Sequence, residues 1–414
     1  MRNAVVAHHY WGQPGGGQLV CASAAYALSG AGFRPTLVSV GRFDRSMYST
    51  WFGIDLSDYD VLSLFGFELK AFGIYYRLLL PFSVKKAIER LSPSLVFIDI
   101  STYGPIEGLI KRKTKLIEYV HFPFEISVDP RFRGSGLYYG EDPYVMERYR
   151  KFPMSMYWWV YARLLPKFMR KNPFNVASAV LANSRWVADL VEKLYGERPR
   201  VLNPPIPPGT GLVVEPRNFD SRRYSIAMVG RFSEEKRYHW VVEEVMPRLL
   251  KEVEGVKLFI FGGTRTRASE SYLNRVDWLA RRAGLRVSRS IKAEANVYLI
   301  ADAPRNTVNE ALDSSRVFLH ATVNEHWGIA VTEAMARGLP TVVHKSGGTW
   351  SDLVSEGLVG LGYSSEEEVV EALAKLLTDG KLWRLYSQKS LERARELTLE
   401  KFAERLASAV RRVA

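Results

Sequence analysis

The stretch TVNEHWGIAVTEAMARGLPTVVHKSGG, Thr322 to Gly348, carries two carboxylates, Glu325 and Glu333, in the pattern Glu-x7-Glu, and it closes on a Gly-Gly pair. Val317 to Thr322 (VFLHAT) is apolar and strand-like, and Gly328 to Arg337 has helical spacing, so Asn324 to Trp327 is the turn between them. Such a turn lies at the carboxyl end of a strand, where open α/β sheets bind ligands. The backbone N–H groups of Gly328, Ile329 and Ala330 at the helix start suit a phosphate, and the helix dipole adds about 0.3–1 kcal/mol for an anion. Glu325 precedes the helix and reaches a group lying over the turn. Glu333, further in, is a bidentate acceptor for ribose hydroxyls. A plainer account makes Glu333 a solvated helix residue and the glycines turn punctuation; it fits Glu333 taken alone equally well, but not the whole constellation.

Other reactive types stand after strands. Gly230-Arg231-Phe232-Ser233-Glu234-Glu235-Lys236 follows the strand Ser225 to Val229, and Arg231 with Lys236 flanks the next helix start, spaced to grip a pyrophosphate. Gly262-Gly263-Thr264 ends the strand Lys257 to Phe261, and Gly263 with Arg265 borders a nucleotide base in this reading. Near the amino terminus, Gly15-Gly16-Gly17 follows the strand Arg2 to His8 and precedes a helix from Gln18 to Ser29, which begins a Rossmann-like half without the dinucleotide Gly-x-Gly-x-x-Gly spacing. His121 ends the strand Leu116 to His121, a position more often structural than functional for a lone histidine. Asp58-Tyr59-Asp60, with Asp55 just before it, mimics a metal-binding Asp-x-Asp, but it stands in the amino-terminal half before a modest strand, so no metal site is assigned.

Glu-x7-Glu after a buried strand, then Ala-Met-Ala-x-Gly-Leu-Pro and a Gly-Gly loop, resembles the nucleotide-binding half of the retaining GT-B glycosyltransferases of family four, the group 1 glycosyl transferases. Asn324 to Val331 (NEHWGIAV), His344 to Gly348 (HKSGG) and Tyr119 to Pro123 (YVHFP) are similar to the α-1,2-mannosyltransferases that extend the dolichol-linked oligosaccharide. The resemblance implies two Rossmann-like doubly wound domains facing a central crevice. It also implies transfer of a hexose with retention, with GDP-mannose as donor, a lipid-linked glycan or glycolipid as acceptor, and no cofactor. By the same resemblance His121 contacts the transferred sugar, Gly15 to Gly17 lie beneath the diphosphate and sugar, and Arg231 and Lys236 hold the diphosphate. Glu325 steadies the sugar and Glu333 the ribose.

The elements that must position these residues follow from composition and pattern. At 414 residues, 47% hydrophobic and 24% charged, the chain is ordinary globular material for about two domains. The expected division is an acceptor-binding domain over residues 1–203, a proline-rich linker over 204–220, a nucleotide-sugar domain over 221–395, and a final helix over 396–414 that packs back on the first domain. Strands at Pro35 to Val40, Leu95 to Ile100, Ala179 to Ser184 and Pro340 to His344 alternate with helices, which argues for parallel sheets.

The formal charge of +13 favours an anionic partner. Arg148 to Lys171 carries seven bases, no acid and a cluster of Tyr and Trp; Trp158, Trp159, Arg163 and Lys167 form a patch suited equally to an interfacial helix on an anionic membrane or to a core helix with a basic face. Leu69 to Lys86, with Phe72, Tyr75 and Tyr76, has the same character in weaker form. Arg163, Pro166 and Lys167 break the segment, so it does not span. With no apolar run near 20 residues, no visible secretory signal and a single cysteine, Cys21, the expected place is the cytoplasm, at the cytoplasmic face of a membrane. Rival readings are a UDP-sugar-dependent transferase, a sugar-nucleotide epimerase of the same fold, and a nucleic-acid-binding protein. The coincidence of the densest basic run with Trp158, Trp159 and Leu164-Leu165 suits lipid better than nucleic acid.

Overall fold

The computed structural model describes residues 2–67, 73–138, 140–141, 145–146, 149 and 151–413. Leu69, Phe72, Arg148 and Arg150, all within the aromatic basic segments above, lie outside them. The chain divides into two units: Met1–Phe132, Tyr149–Gly209 and Leu397–Ala414 form the first, and Arg133–Arg148 with Thr210–Glu396 the second.

Among the described residues the first unit holds seven strands: β1 (Arg2–Ala7), β2 (Phe33–Ser39), β3 (Asp60–Ser63), β4 (Leu95–Ile98), β5 (Lys115–Val120), β6 (Ala179–Ala182) and β7 (Arg200–Val201). They pair in the order β3-β2-β1-β4-β5-β6-β7, all parallel. The Val5-Val6 and LVFI runs are apolar throughout because helices cover both faces of such a sheet, and every one of these side chains is buried. Strand order reverses between β1 and β4, in register Val5 to Val96. Asp60 opens the edge strand β3 and pairs with Arg34 at 2.9 Å, both exposed, an ordinary surface ion pair.

The second unit repeats the plan with β8 (Arg223–Val229), β9 (Lys257–Gly262), β10 (Val287–Ser288), β11 (Val297–Ala301), β12 (Ser315–His320), β13 (Thr341–His344) and β14 (Leu361–Tyr363), in the parallel order β10-β11-β9-β8-β12-β13-β14. Here the order reverses between β8 and β12, with Ile226 beside Val317. The edge strands β10 and β14 and the strand β11 escape periodicity analysis: two or three residues carry no period, and β11 is flanked by charged loops.

Two local expectations change. The first helix begins at Gly16, not Gln18, so Gly16 and Gly17 form its first turn instead of a free loop, capped by Gly15 in extended conformation. Residues Pro204 to Pro207 are buried against the first unit, with Ile206 N–H donating to Leu397 O at 2.7 Å, so packing and not only proline stiffness orders them. The last helix, Leu399–Arg411, belongs to the first unit and packs on the helix Gly16–Gly30.

Candidate active site

In the second unit the polar residues gather at the carboxyl ends of β8 and β12, the two strands that flank the reversal. Glu325 lies in the turn after β12, and its Oε2 accepts from Lys236 Nζ at 2.7 Å, with His320 Nε2 at 3.0 Å on the same oxygen. Burial alone would push the Glu325 carboxyl up, but the Lys236 charge and the His320 hydrogen bond outweigh it and hold it well below the usual range. Burial in turn lowers His320, against its bond to Glu325. The sequence reading missed His320; it is visible in VFLHAT as a histidine closing a switch-point strand, but its partner is not.

The turn is fixed from the loop after β13. Asn324, at φ 55°, donates its N–H to Ser346 Oγ at 2.7 Å, and Gly348 N–H donates to Glu325 O at 2.8 Å. Gly347 has φ 73°, and a Cβ there would stand 2.3 Å from Glu325 O, so only glycine lets this loop close on the turn. Gly328 caps the helix Ile329–Ala336 at φ 89°, where a Cβ would meet Thr349 Cγ2 at 2.6 Å. The amides of Ile329 and Ala330 open the first turn, as the spacing predicts.

Glu333 sits inside that helix but is only 4% exposed, so it is not a solvated helix residue. Its Oε1 accepts from Thr210 Oγ1 at 3.3 Å and lies 2.8 Å from Arg305 Nη1, a partner with no sequence signal. Arg231 and Lys236 each hold a separate carboxylate: Arg231 is 63% exposed and pairs with Glu235 at 3.2 Å, while Lys236 turns inward to Glu325. Gly263 and Arg265 follow β9, beside Thr264, whose N–H donates to Asp302 Oδ1 at 3.2 Å; Arg265 is exposed.

The first unit has its own cluster at its reversal. Asp99 directly follows β4 and accepts from His8 Nδ1, which directly follows β1, at 2.8 and 2.9 Å to its two oxygens. His121, directly after β5, places Nε2 2.9 Å from Asp99 Oδ2. Burial acts to raise the Asp99 carboxyl, yet the two histidines outweigh it and hold it far below the usual range. Burial, and then the neighbouring His8, push His9 well down, and burial with the Asp99 carboxylate pushes the Cys21 thiol well up. A Cβ on Gly17 would stand 2.9 Å from His8 Cε1 and 3.1 Å from Asp99 Oδ2, so the first helical turn seats directly on this cluster. His8 and Asp99 were not singled out from sequence, although both lie where the switch-point rule points.

The aromatic basic segment forms the helix Met154–Phe168, which continues through Pro166 rather than breaking there. A proline in the last turn removes little, and buried Tyr161 and Leu165 hold the helix down. Trp158 stacks on Tyr149 at 4.9 Å, while Trp159 is 52% exposed beneath the Arg163 guanidinium at 3.8 Å. Phe152, Met156 and Val160 are exposed on the same segment, and Lys167 is exposed at its end. Arg170, just beyond, is buried and pairs with Glu118 of β5 at 2.6 Å, which anchors the helix to the sheet. Among the described residues no helix is long and apolar enough to cross a membrane.

Two doubly wound parallel units of this strand order define the GT-B class of fold. The chain belongs to the glycosyltransferases described as Glycosyltransferase Family 4, matched over residues 14–209, and Glycosyl transferases group 1, matched over residues 214–393. It is 24% identical over 245 residues to the GDP-Man:Man(3)GlcNAc(2)-PP-Dol alpha-1,2-mannosyltransferase of Eremothecium gossypii, covering 58% of this chain and 38% of that protein. To the Dictyostelium discoideum protein of the same name it is 24% identical over 339 residues, covering 77% of this chain and 62% of that one. The chain thus spans less than two thirds of the length of either. Among solved structures, sucrose-phosphate synthase from Thermosynechococcus elongatus superposes with a TM-score of 0.68 over 99% of this chain and 98% of that one, at 12% identity, a likeness of fold.

Proposed function

We propose that this protein is a retaining glycosyltransferase that moves mannose from GDP-mannose to a lipid-linked oligosaccharide or related glycolipid. The observation that carries the reading is the Lys236–Glu325–His320 cluster beside the Gly328 helix start, in a chain whose relatives bear the name of that reaction. The donor diphosphate binds the amides of Gly328, Ile329 and Ala330 with Lys236 and Arg231, a field already in place before charge develops on the leaving group. Lys236 exchanges Glu325 for phosphate, and Glu325 turns to the sugar, where a carboxylate favours the cationic transition state. Glu333 takes the ribose, and Gly263 with Arg265 borders the base. Within the first unit, His121 takes the hydroxyl of a sugar, beside the helix start at Gly15 to Gly17.

The bond from the sugar C1 to the diphosphate oxygen breaks while a bond from C1 to the acceptor oxygen forms on the same face. The acceptor proton passes to the departing phosphate, which leaves as GDP, so no side chain is assigned as general base. The exposed Trp159, Met156 and Val160 with Arg163 and Lys167 face an anionic membrane, the cytoplasmic leaflet, where each base near the surface adds about 1 kcal/mol.

The test is calorimetric binding of GDP, UDP, ADP and their sugars without added metal. Selective binding of GDP and GDP-mannose supports the reading. If UDP binds instead, the mannose claim fails while a transferase remains; if only nucleic acid binds, the enzyme reading is lost.

A further inference from the structure

Two histidines on one buried carboxylate is more than a strand-end histidine needs. The Asp99 side chain is 1% exposed and His8 4%, while His121 retains 28%. His121 is also pinned by two further contacts: Asn183 Nδ2 donates to its carbonyl at 2.9 Å, and the Tyr119 ring meets its imidazole edge to face at 4.9 Å between centroids. Gly17 closes the Nε2 side of the ring, since its missing Cβ would lie 3.6 Å from His121 Nε2 as well as against Asp99 and His8. Cys21 stands one helical turn along, next to the same carboxylate. Its presence raises the question of a metal ion among His8, Cys21 and Asp99. As they stand, His8 Nδ1 and the Asp99 oxygens are 2.8 and 2.9 Å apart, hydrogen-bond lengths shorter than the roughly 3.4 Å between two ligand atoms on one tetrahedral ion.

We propose that Asp99 is a positioning residue: braced by His8, it accepts the Nε2–H of His121 and so leaves Nδ1 as the ring atom that meets a ligand hydroxyl. The inference rests on the proposed function for what that hydroxyl belongs to, a sugar. Its geometry is independent of it. An imidazole whose far nitrogen is held by a carboxylate keeps one tautomer and one orientation, which a free strand-end histidine does not.

The experiment is two-bond 15N–1H correlation NMR on the 414-residue chain labelled at histidine nitrogens, near pH 7.5, with His121→Gln to assign the signals. The expected result is a His121 ring carrying its proton on Nε2 in the wild-type protein. A ring protonated on Nδ1 alone, or averaging between the two forms, overturns the proposal with no variant and no assumption about substrate. In Asp99→Asn, checked for an intact fold by its melting curve, the His121 signals move toward an averaged pattern; an unchanged pattern likewise overturns it. Once a donor is in hand, Asp99→Asn lowers kcat by roughly 10- to 100-fold while donor KM stays within about threefold. If no sugar is transferred by the wild-type protein, the proposed function falls, and the tautomer still decides the role of Asp99.

Discussion

Both units keep a carboxylate at the strand ends where sheet order reverses, and they neutralise it in different ways. Asp99 is sealed between two imidazoles at 1% exposure, while Glu325 shares one oxygen between an imidazole and an ammonium, with Glu325 and Lys236 at 19% and 17%. Imidazoles on short stems, anchored directly after β1 and β5, have little reach beyond Asp99. Lys236 reaches Glu325 on a flexible four-carbon stem, and in the proposed function it is the group that turns to a phosphate and returns. On that proposal the first carboxylate stays with its partners and the second exchanges them.

The sharpest way to break that contrast is to remove the exchanging group. Glu325→Ala is expected to lower transfer by roughly 10²–10³-fold, on the scale of one preorganised electrostatic group, while GDP affinity by calorimetry stays close to wild type, because Lys236 remains for the phosphate. A loss of affinity as large as that of Lys236→Ala contradicts the assignment of Glu325 to the sugar. Lys236→Ala itself is expected to weaken GDP binding about 10- to 100-fold, the range of one lost charge-assisted hydrogen bond; unchanged affinity removes Lys236 from the donor site.

Acid sharpens the comparison. Burial lowers His9 in the first unit and His239, His320 and His344 in the second, so the unfolded chain takes up protons before the folded one. Their stabilisation is intact above about pH 6.5 and declines as pH falls below it. Asp99 and Glu325 are depressed carboxylates, whose contribution is intact above about pH 4 and is lost as pH drops from there toward their folded values. Melting temperature should therefore fall from pH 7.5 to 5.5 and fall again below pH 4; a flat profile across the first interval contradicts burial of the neutral histidines.

The smallest expected effect concerns the aromatic helix. Lys167→Ala removes one surface base and is expected to weaken binding to vesicles with anionic lipid about fivefold in flotation, equivalent to about 1 kcal/mol, with GDP affinity untouched. Flotation that does not respond to Arg163, Lys167 or Trp159 substitution assigns this face to something other than a membrane.

Much of this was legible in the chain. Apolar runs such as LVFIDI announce parallel strands because both faces of such a sheet are covered, and Glu-x7-Glu with Gly328 marks a strand-turn-helix site because its spacing is local. Gly347 reads as a turn residue, but its necessity comes from the Glu325 carbonyl 2.3 Å from where its Cβ would be. Glu333 reads equally as a solvated residue, and burial beside Thr210 and Arg305 removes that option. His8, Asp99 and His121 lie far apart in sequence and meet only because β1, β4 and β5 are neighbours in the sheet. By itself the sequence determined the elements and the types of residue at their ends, since periodicity and turn chemistry act over a few residues. Which of those ends face one another was decided by strand order alone, because a hydrogen bond of 3 Å or less depends on the packing of the whole sheet and not on the spacing of its residues along the chain.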